Sequence, residues 1–143
     1  MKAIKAMVEN LPHSNPSFSG QLAAALVALA ECEQVCRVCA DSCLEEDDVR
    51  ELRHCVREDL TCAAACQATA QILSRPSDLA SPVIQAMLHA CIAACQSCAD
   101  VCGHHEHEHC RICRDTCLHC QETCNLLLGA INPTSVGSVW APP

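Results

Sequence analysis

Large aromatic side chains are almost absent from this chain, whose 143 residues include one Phe, one Trp and no Tyr. A soluble domain of this length normally builds its core from several layers of large apolar residues. Here alanine and cysteine stand where such residues are expected, so the core is specialised for something besides apolar packing. The length suits one domain.

Basic residues are also few. The nine Lys and Arg are scattered, the net charge is −8, and no basic stripe is present, so nucleic acid is not an expected partner. No stretch approaches the ~18 uncharged apolar residues of a membrane-spanning helix, so no membrane association is expected. The first ten residues lack the apolar run of an export signal, and a cytoplasmic location is therefore expected.

Cysteine, in contrast, occurs sixteen times. Such a density usually marks a small secreted disulfide scaffold. However, most of these cysteines lie four residues apart on predicted helices, where side chains stack about 5–6 Å apart and form disulfides poorly. The spacing therefore indicates reduced thiols available for metal.

Helical periodicity and capping signals predict an all-α fold, an antiparallel up-and-down four-helix bundle with a short N-terminal helix. We predict a short helix and linker over residues 1–18, the bundle over 19–131 and a polar tail over 132–143. Ile4, Met7, Val8 and Leu11 share one face of the short helix. Four long helices are predicted, over residues 19–45, 48–73, 82–102 and 106–128. Ser19 caps the first, an Asp48–Glu51 capping box begins the second, Ser81 caps the third and Gly129 ends the fourth.

Each long helix carries one repeat of four positions separated by four, three and four residues. At 100° per residue these positions span a stripe about 60° wide, which is the seam of a bundle, so all sixteen sulfurs should point inward. Asp59 replaces one cysteine of the second helix, and Cys110 precedes the fourth repeat by one turn. The repeat positions are Cys32, Cys36, Cys39, Cys43, Cys55, Asp59, Cys62, Cys66, Cys91, Cys95, Cys98, Cys102, Cys113, Cys117, Cys120 and Cys124.

Thiolates select soft ions such as Cu(I), Zn(II), Cd(II) or iron–sulfur clusters. One Cu(I) per thiolate neutralises sixteen buried charges, whereas four Zn(II) ions leave about half of them uncompensated. A continuous series of sulfurs also suits ions joined by bridging thiolates better than separate tetrahedral sites. The closely spaced Cys-Pro run of ferredoxins is missing. Copper is the predicted metal.

The segments CEQVCRVCADSC, CAAAC, CIAACQSCADVC and CRDTCLHCQETC resemble those of the bacterial copper storage proteins over roughly residues 20–130. The resemblance implies a four-helix bundle that assembles into a homotetramer and binds Cu(I) on its inward cysteines. The missing export signal resembles the cytosolic branch of that family. Neither Asp59 nor the histidine run GHHEHEHC is carried over by this resemblance.

The two ends of the predicted bundle differ. One is bordered by Cys43, Cys55, Cys102 and Cys110, and copper is expected to enter there. His105 and His109 should face inward at this end as further ligands, and His104 and His107 are nearby. Asp59 is either a ligand or is neutralised by Arg53 or Arg57. The opposite end is predicted to be closed by Leu22, Leu26, Ile84, Leu88, Leu127 and Leu128.

These features predict a binding protein rather than an enzyme, one that stores and buffers many Cu(I) ions. Delivery by a copper chaperone or a small thiol is expected. The alternatives are a zinc or cadmium store similar in role to metallothionein, and slow oxidation of Cu(I) at the histidines. Apolar residues off the seam indicate an oligomer interface; they are Val27, Val35, Val38, Val83 and Ile92.

Overall fold

A computed structural model describes residues 1–12 and 15–132 of the chain. All regular secondary structure in this part of the chain is helical and none of it is strand, so the all-α prediction is confirmed. His13 and residues 133–143 of the predicted tail lie outside the described residues. The helices are α1 (Lys2–Glu9), α2 (Pro16–Leu44), α3 (Arg53–Leu73), a 3-10 turn (Pro76–Asp78), α4 (Pro82–Cys102) and α5 (Glu108–Ile131).

The four long helices form an up-and-down bundle. Helix α2 packs against α3 and α5, and α4 packs against the same two helices from the opposite side. Short connections join consecutive helices, which makes neighbours antiparallel. Helix α1 packs on α2 and buries Val8 beside Leu22. Met7, predicted to share the packed face of α1, is instead 69% exposed.

Helix α2 begins three residues earlier than predicted. The Asn15 side chain accepts a hydrogen bond from the backbone N–H of Ser17 at 2.9 Å, and Pro16 occupies the first helical position. Proline suits that position because its missing N–H has no partner there. Asn15 rather than Ser19 is therefore the cap, and the bundle starts at Pro16.

Helix α3 begins at Arg53, because residues 45–52 form turns instead of a first helical turn. The predicted capping box is wrong, since the Asp48 carboxylate bonds to His107 across the end of the bundle. Helix α5 also differs from prediction, running through Gly129 to Ile131 with Asn132 as its C-cap. In α4 the prediction is confirmed: Ser81 Oγ accepts the Val83 N–H at 3.2 Å.

Helix α4 is long and apolar enough to cross a membrane when judged by length and composition alone. The prediction that no stretch approaches such a helix is therefore wrong by this measure, because residues 82–99 carry no Asp, Glu, Lys or Arg and are rich in alanine and cysteine. Within the bundle, however, Ile84, Leu88 and the four cysteines of α4 are buried against the other helices. Such burial is typical of the core helix of a helical bundle.

Candidate metal centre

All sixteen cysteines point into the bundle, each at most 1% exposed, and all sixteen are free thiols. Their 4-3-4 spacing puts one row of sulfurs on the inner face of each long helix, and the antiparallel packing brings the four rows together along the axis. The predicted inward orientation is confirmed. We call this set of sulfurs the thiol ladder.

Neighbouring sulfurs of the thiol ladder lie close together both along a helix and between helices. Cys32 Sγ is 3.9 Å from Cys36 Sγ and 3.8 Å from Cys117 Sγ, and Cys36 Sγ is 3.7 Å from Cys117 Sγ. Cys62 Sγ is 3.7 Å from Cys95 Sγ. With metal–sulfur bonds of about 2.3 Å, thiolates that share one ion in trigonal or tetrahedral geometry lie about 3.8–4.0 Å apart. The ladder therefore has nearly the spacing that metal needs.

The sulfurs form overlapping groups rather than separate sites. Within each group the ligand atoms all lie within 4.8 Å of one another, and six sulfurs belong to at least two groups: Cys32, Cys36, Cys62, Cys66, Cys95 and Cys117. One sulfur can serve two groups at once only by bridging two ions. Examples are Cys32–Cys36–Cys62–Cys117, Cys32–Cys62–Cys66–Cys95, Cys36–Cys98–Cys113–Cys117 and Cys66–Cys91–Cys95–Cys120.

Asp59 lies inside the thiol ladder and is fully buried. Its Oδ1 accepts hydrogen bonds from the thiols of Cys98 and Cys113, both at 3.1 Å, and its Oδ2 lies 3.8 Å from Cys55 Sγ. Burial away from water disfavours the charged form and raises the pKa of Asp59 to about 8.

Among the residues described, no arginine pairs with Asp59, and Arg53 is exposed. Neutralisation by Arg53 or Arg57 is therefore wrong. The Asp59 side chain occupies the place of the missing cysteine, and its carboxyl oxygens lie among the sulfurs of the thiol ladder.

We call the end bordered by Cys43, Cys55, Cys102 and Cys110 the mouth. Without metal, the Cys43 and Cys110 thiols there resist deprotonation. Burial, followed by the nearby Cys55, raises the pKa of Cys43, and burial raises the pKa of Cys110 to about 12. These thiols are therefore neutral near pH 7, and a bound cation must displace their protons.

His109 is the histidine that reaches the ladder. Its Nδ1 lies 3.4 Å from Cys39 Sγ and 3.6 Å from Cys110 Sγ, and the ring forms one metal-sized group with Cys39, Cys43 and Cys110. His105 is only partly buried in the α4–α5 turn, and within residues 15–132 its ring has no hydrogen bond or ion pair. The structure thus brings His109, but not the His105 ring, into contact with the cysteines.

Two acidic residues at the mouth were not anticipated. Glu46 contacts His107 Nδ1, and the Asp48 carboxylate oxygens lie 3.0 and 3.1 Å from His107 Nε2. The sequence signal was the acidic run at residues 45–48, which enters the same end of the bundle as the histidine run. His104 faces outward, with Nδ1 2.6 Å from the Asp100 carbonyl.

The opposite end is closed by hydrocarbon, as predicted, and we call it the plug. Its buried residues are at most 4% exposed, whereas Leu26 is only partly buried. They are Leu22, Leu29, Leu73, Ile84, Leu88, Leu127 and Leu128. The mouth also contains an apolar side chain, since Leu52, just before α3, is fully buried there.

A sequence profile described as copper storage protein matches residues 19–129 of this chain. The chain belongs to the copper storage protein family. The matched region contains every cysteine of the thiol ladder together with Asp59 and the histidines of the mouth. The match to the family therefore covers all four helices that carry the candidate centre.

Solved structures of relatives agree in fold. The copper storage protein Ccsp from Streptomyces lividans, loaded with 10 copper equivalents, is 35% identical with a TM-score of 0.84, covering 89% of this chain and 98% of that one. A cytosolic copper storage protein from Streptomyces lividans with five coppers is 40% identical, with a TM-score of 0.74 over 77% and 93% of the two chains. The Cu(I)-bound copper storage protein BsCsp3 is 30% identical, with a TM-score of 0.67 over 73% and 95%.

One curated relative is the uncharacterized cysteine-rich protein YhjQ of Bacillus subtilis strain 168. It is 32% identical over 101 residues, which cover 71% of this chain and 90% of that protein. Together with the copper-bearing structures, this similarity confirms the resemblance found from the cysteine repeat.

Proposed function

We propose that this protein stores and buffers many Cu(I) ions in the cytosol, on the thiolates of the thiol ladder, and that copper enters at the mouth. The observation that carries the proposal is the continuous network of sixteen buried free thiols, many of which belong to two ligand groups at once. Soft thiolates favour Cu(I), and the copper-bound relatives support the same ion.

Charge and sharing of ligands favour Cu(I) over Zn(II) or Cd(II). Every ion that binds must replace thiol protons, and one monovalent ion per thiolate leaves the interior neutral. Isolated tetrahedral zinc sites use four sulfurs each. Several sulfurs here belong to more than one group, which favours ions joined by bridging thiolates. Asp59 and His109 are proposed as additional ligands toward the mouth. His105, predicted as a ligand from the sequence, is not proposed, because its ring contacts no cysteine in the described part of the chain.

The capacity of reduced protein for Cu(I) tests this proposal. Titration against a competing chelator under anaerobic conditions should reach saturation at about 16 ions per subunit, with roughly one proton released per thiolate occupied. A zinc titration of the same sample is the comparison. Saturation with Cu(I) near four ions favours discrete four-cysteine sites and contradicts the proposal.

The family is one of storage proteins, and we propose binding without catalysis. A copper chaperone or a small thiol is the proposed donor, because either one delivers Cu(I) bound to sulfur. We also propose a homotetramer, supported by Val38 and Val83, which are 55% and 60% exposed on α2 and α4. Light scattering at micromolar concentration checks the assembly, and a monomer contradicts it.

A further inference from the structure

The two ring nitrogens of His109 have different surroundings. Nδ1 faces the thiol ladder, 3.4 Å from Cys39 Sγ and 3.6 Å from Cys110 Sγ. Nε2 is buried and has no hydrogen-bond partner in the part of the chain that the structure describes. The nearest acidic oxygen is Glu46 Oε2, 3.8 Å from Nε2. A small movement of one carboxylate oxygen would therefore give this buried nitrogen its partner.

Glu46 is itself held in place by a neighbouring histidine. Glu46 Oε2 contacts His107 Nδ1, while both Asp48 oxygens lie within 3.1 Å of His107 Nε2. The His107 ring stacks on the His109 ring, with centroids 5.4 Å apart and 5° between their planes. Both nitrogens of His107 thus face carboxylates, which leaves neither of them turned toward a cysteine.

An imidazole that binds a metal through one nitrogen usually donates the other N–H to a carboxylate or carbonyl, which fixes the tautomer and the ring orientation. We propose that Glu46 is the positioning residue for His109: its carboxylate accepts the Nε2–H and thereby presents Nδ1 to a Cu(I) ion held by Cys39 and Cys110. His107 and Asp48 hold Glu46 in reach. This inference rests on the proposed storage of Cu(I).

Nitrogen-15 NMR of histidine-labelled full-length protein tests the proposal. In reduced copper-free protein, His109 should carry its proton on Nε2, and Glu46→Gln should remove the protection of that proton from solvent exchange. During Cu(I) titration against a chelator, the His109 Nδ1 resonance reports this site alone. Glu46→Gln should weaken copper binding there by about 10-fold, the lower end of the usual effect of such partners.

Glu45→Gln is the matched control, because it removes the same charge from the exposed preceding residue, and it should leave both readouts unchanged. The proposal is overturned if His109 carries its proton on Nδ1, if its Nδ1 does not respond to Cu(I), or if both variants behave alike. Total capacity is measured in the same samples. Wild-type saturation near four ions rejects the storage proposal, whereas saturation near sixteen with an unaffected Glu46→Gln variant rejects only the role of Glu46.

Discussion

The mouth and the plug are built on the same four helices and the same inward stripe, yet they are filled by opposite chemistry. At the plug, the stripe consists of leucine and isoleucine, whose burial stabilises the fold by about 1.5–3 kcal/mol per side chain. Toward the mouth, the stripe consists of thiols and Asp59, which gain little from burial until they bind a cation. The plug therefore holds the helices together, and the ladder remains available for cargo.

This division predicts that the protein is folded both with and without copper. If the helices depended on metal, as zinc fingers do, the empty protein would unfold and could not be refilled readily. Good helix formers such as the alanines of α2, a capped α4 and the buried leucines specify the bundle without copper. Apolar burial therefore stabilises the plug, whereas the mouth depends on bound copper for further stability.

Copper loading should produce the largest difference between the two ends. We expect the reduced copper-free protein to be largely helical by circular dichroism and its melting temperature to rise by more than about 20 °C when it is loaded. The reason is linkage, since each ion that binds only the folded state adds about 2.7 kcal/mol at 100 times its dissociation constant.

Hydrogen exchange should locate that gain. Backbone amides near Leu88 and Leu127 should be protected with and without copper, whereas those near Cys43 and Cys110 should gain protection on loading. A coil-like spectrum of the copper-free protein, or uniform protection along α5, contradicts the proposed difference between the ends.

Leucine-to-alanine substitutions at the two ends should separate stability from access. Leu88 and Leu52 are both fully buried, so Leu88→Ala and Leu52→Ala should each lower the free energy of unfolding by about 2–5 kcal/mol in urea. Only Leu52 lies at the mouth, so only Leu52→Ala should speed Cu(I) uptake in stopped-flow measurements. Equal acceleration by Leu88→Ala means that copper also passes through the plug.

Asp59 makes the stability of the copper-free ladder depend on pH. Its folded pKa of about 8 lies above its ordinary value of 3.8, so between these values the folded state binds a proton that the unfolded state does not. The free energy of unfolding should therefore fall as pH rises from about 4 to 8, by a few kcal/mol and at most about 5. Asp59→Asn should remove most of this slope in urea unfolding of reduced protein, and the exposed Asp47→Asn should retain it.

The inward stripe could be predicted from sequence because it depends only on helical periodicity. A 4-3-4 spacing puts four residues on one face of a helix whatever surrounds them. This periodicity was enough to predict the burial of the cysteines, the inward position of Asp59 and the residues of the plug. The start of α3 could not be predicted this way. Asp48 has the local signature of a capping box, but its carboxylate bonds to His107, 59 residues further along the chain.

The histidines show the same limit. Extending the stripe past Cys102 and before Cys110 predicted His105 and His109 as a pair, but the turn between α4 and α5 interrupts the helical period. His109 lies on α5 and keeps its register, whereas His105 lies in the turn and does not. Glu46 was missed because its role depends on a loop meeting the start of another helix, a long-range contact that no local pattern contains.

The mouth histidines should affect the rate of loading more than its extent. His109 contacts two thiols of the ladder, but the other sulfurs bind soft ions without help from imidazole. Replacing His104, His105, His107 and His109 together with asparagine should slow uptake from a thiol-bound donor by about 10-fold, by analogy with other lost metal-site residues.

Copper at saturation should fall only by the few ions that those four side chains hold. The matched control replaces His54 and His119, whose side chains are exposed rather than buried among the cysteines, and it should load at the wild-type rate. A slower rate in the quadruple variant with an unchanged control therefore indicates entry at the mouth. If that variant loads as fast as the wild type, the four histidines have no part in uptake and copper reaches the thiols by another path. The first candidate for that path is the groove between α2 and α5 beside Cys39 and His109.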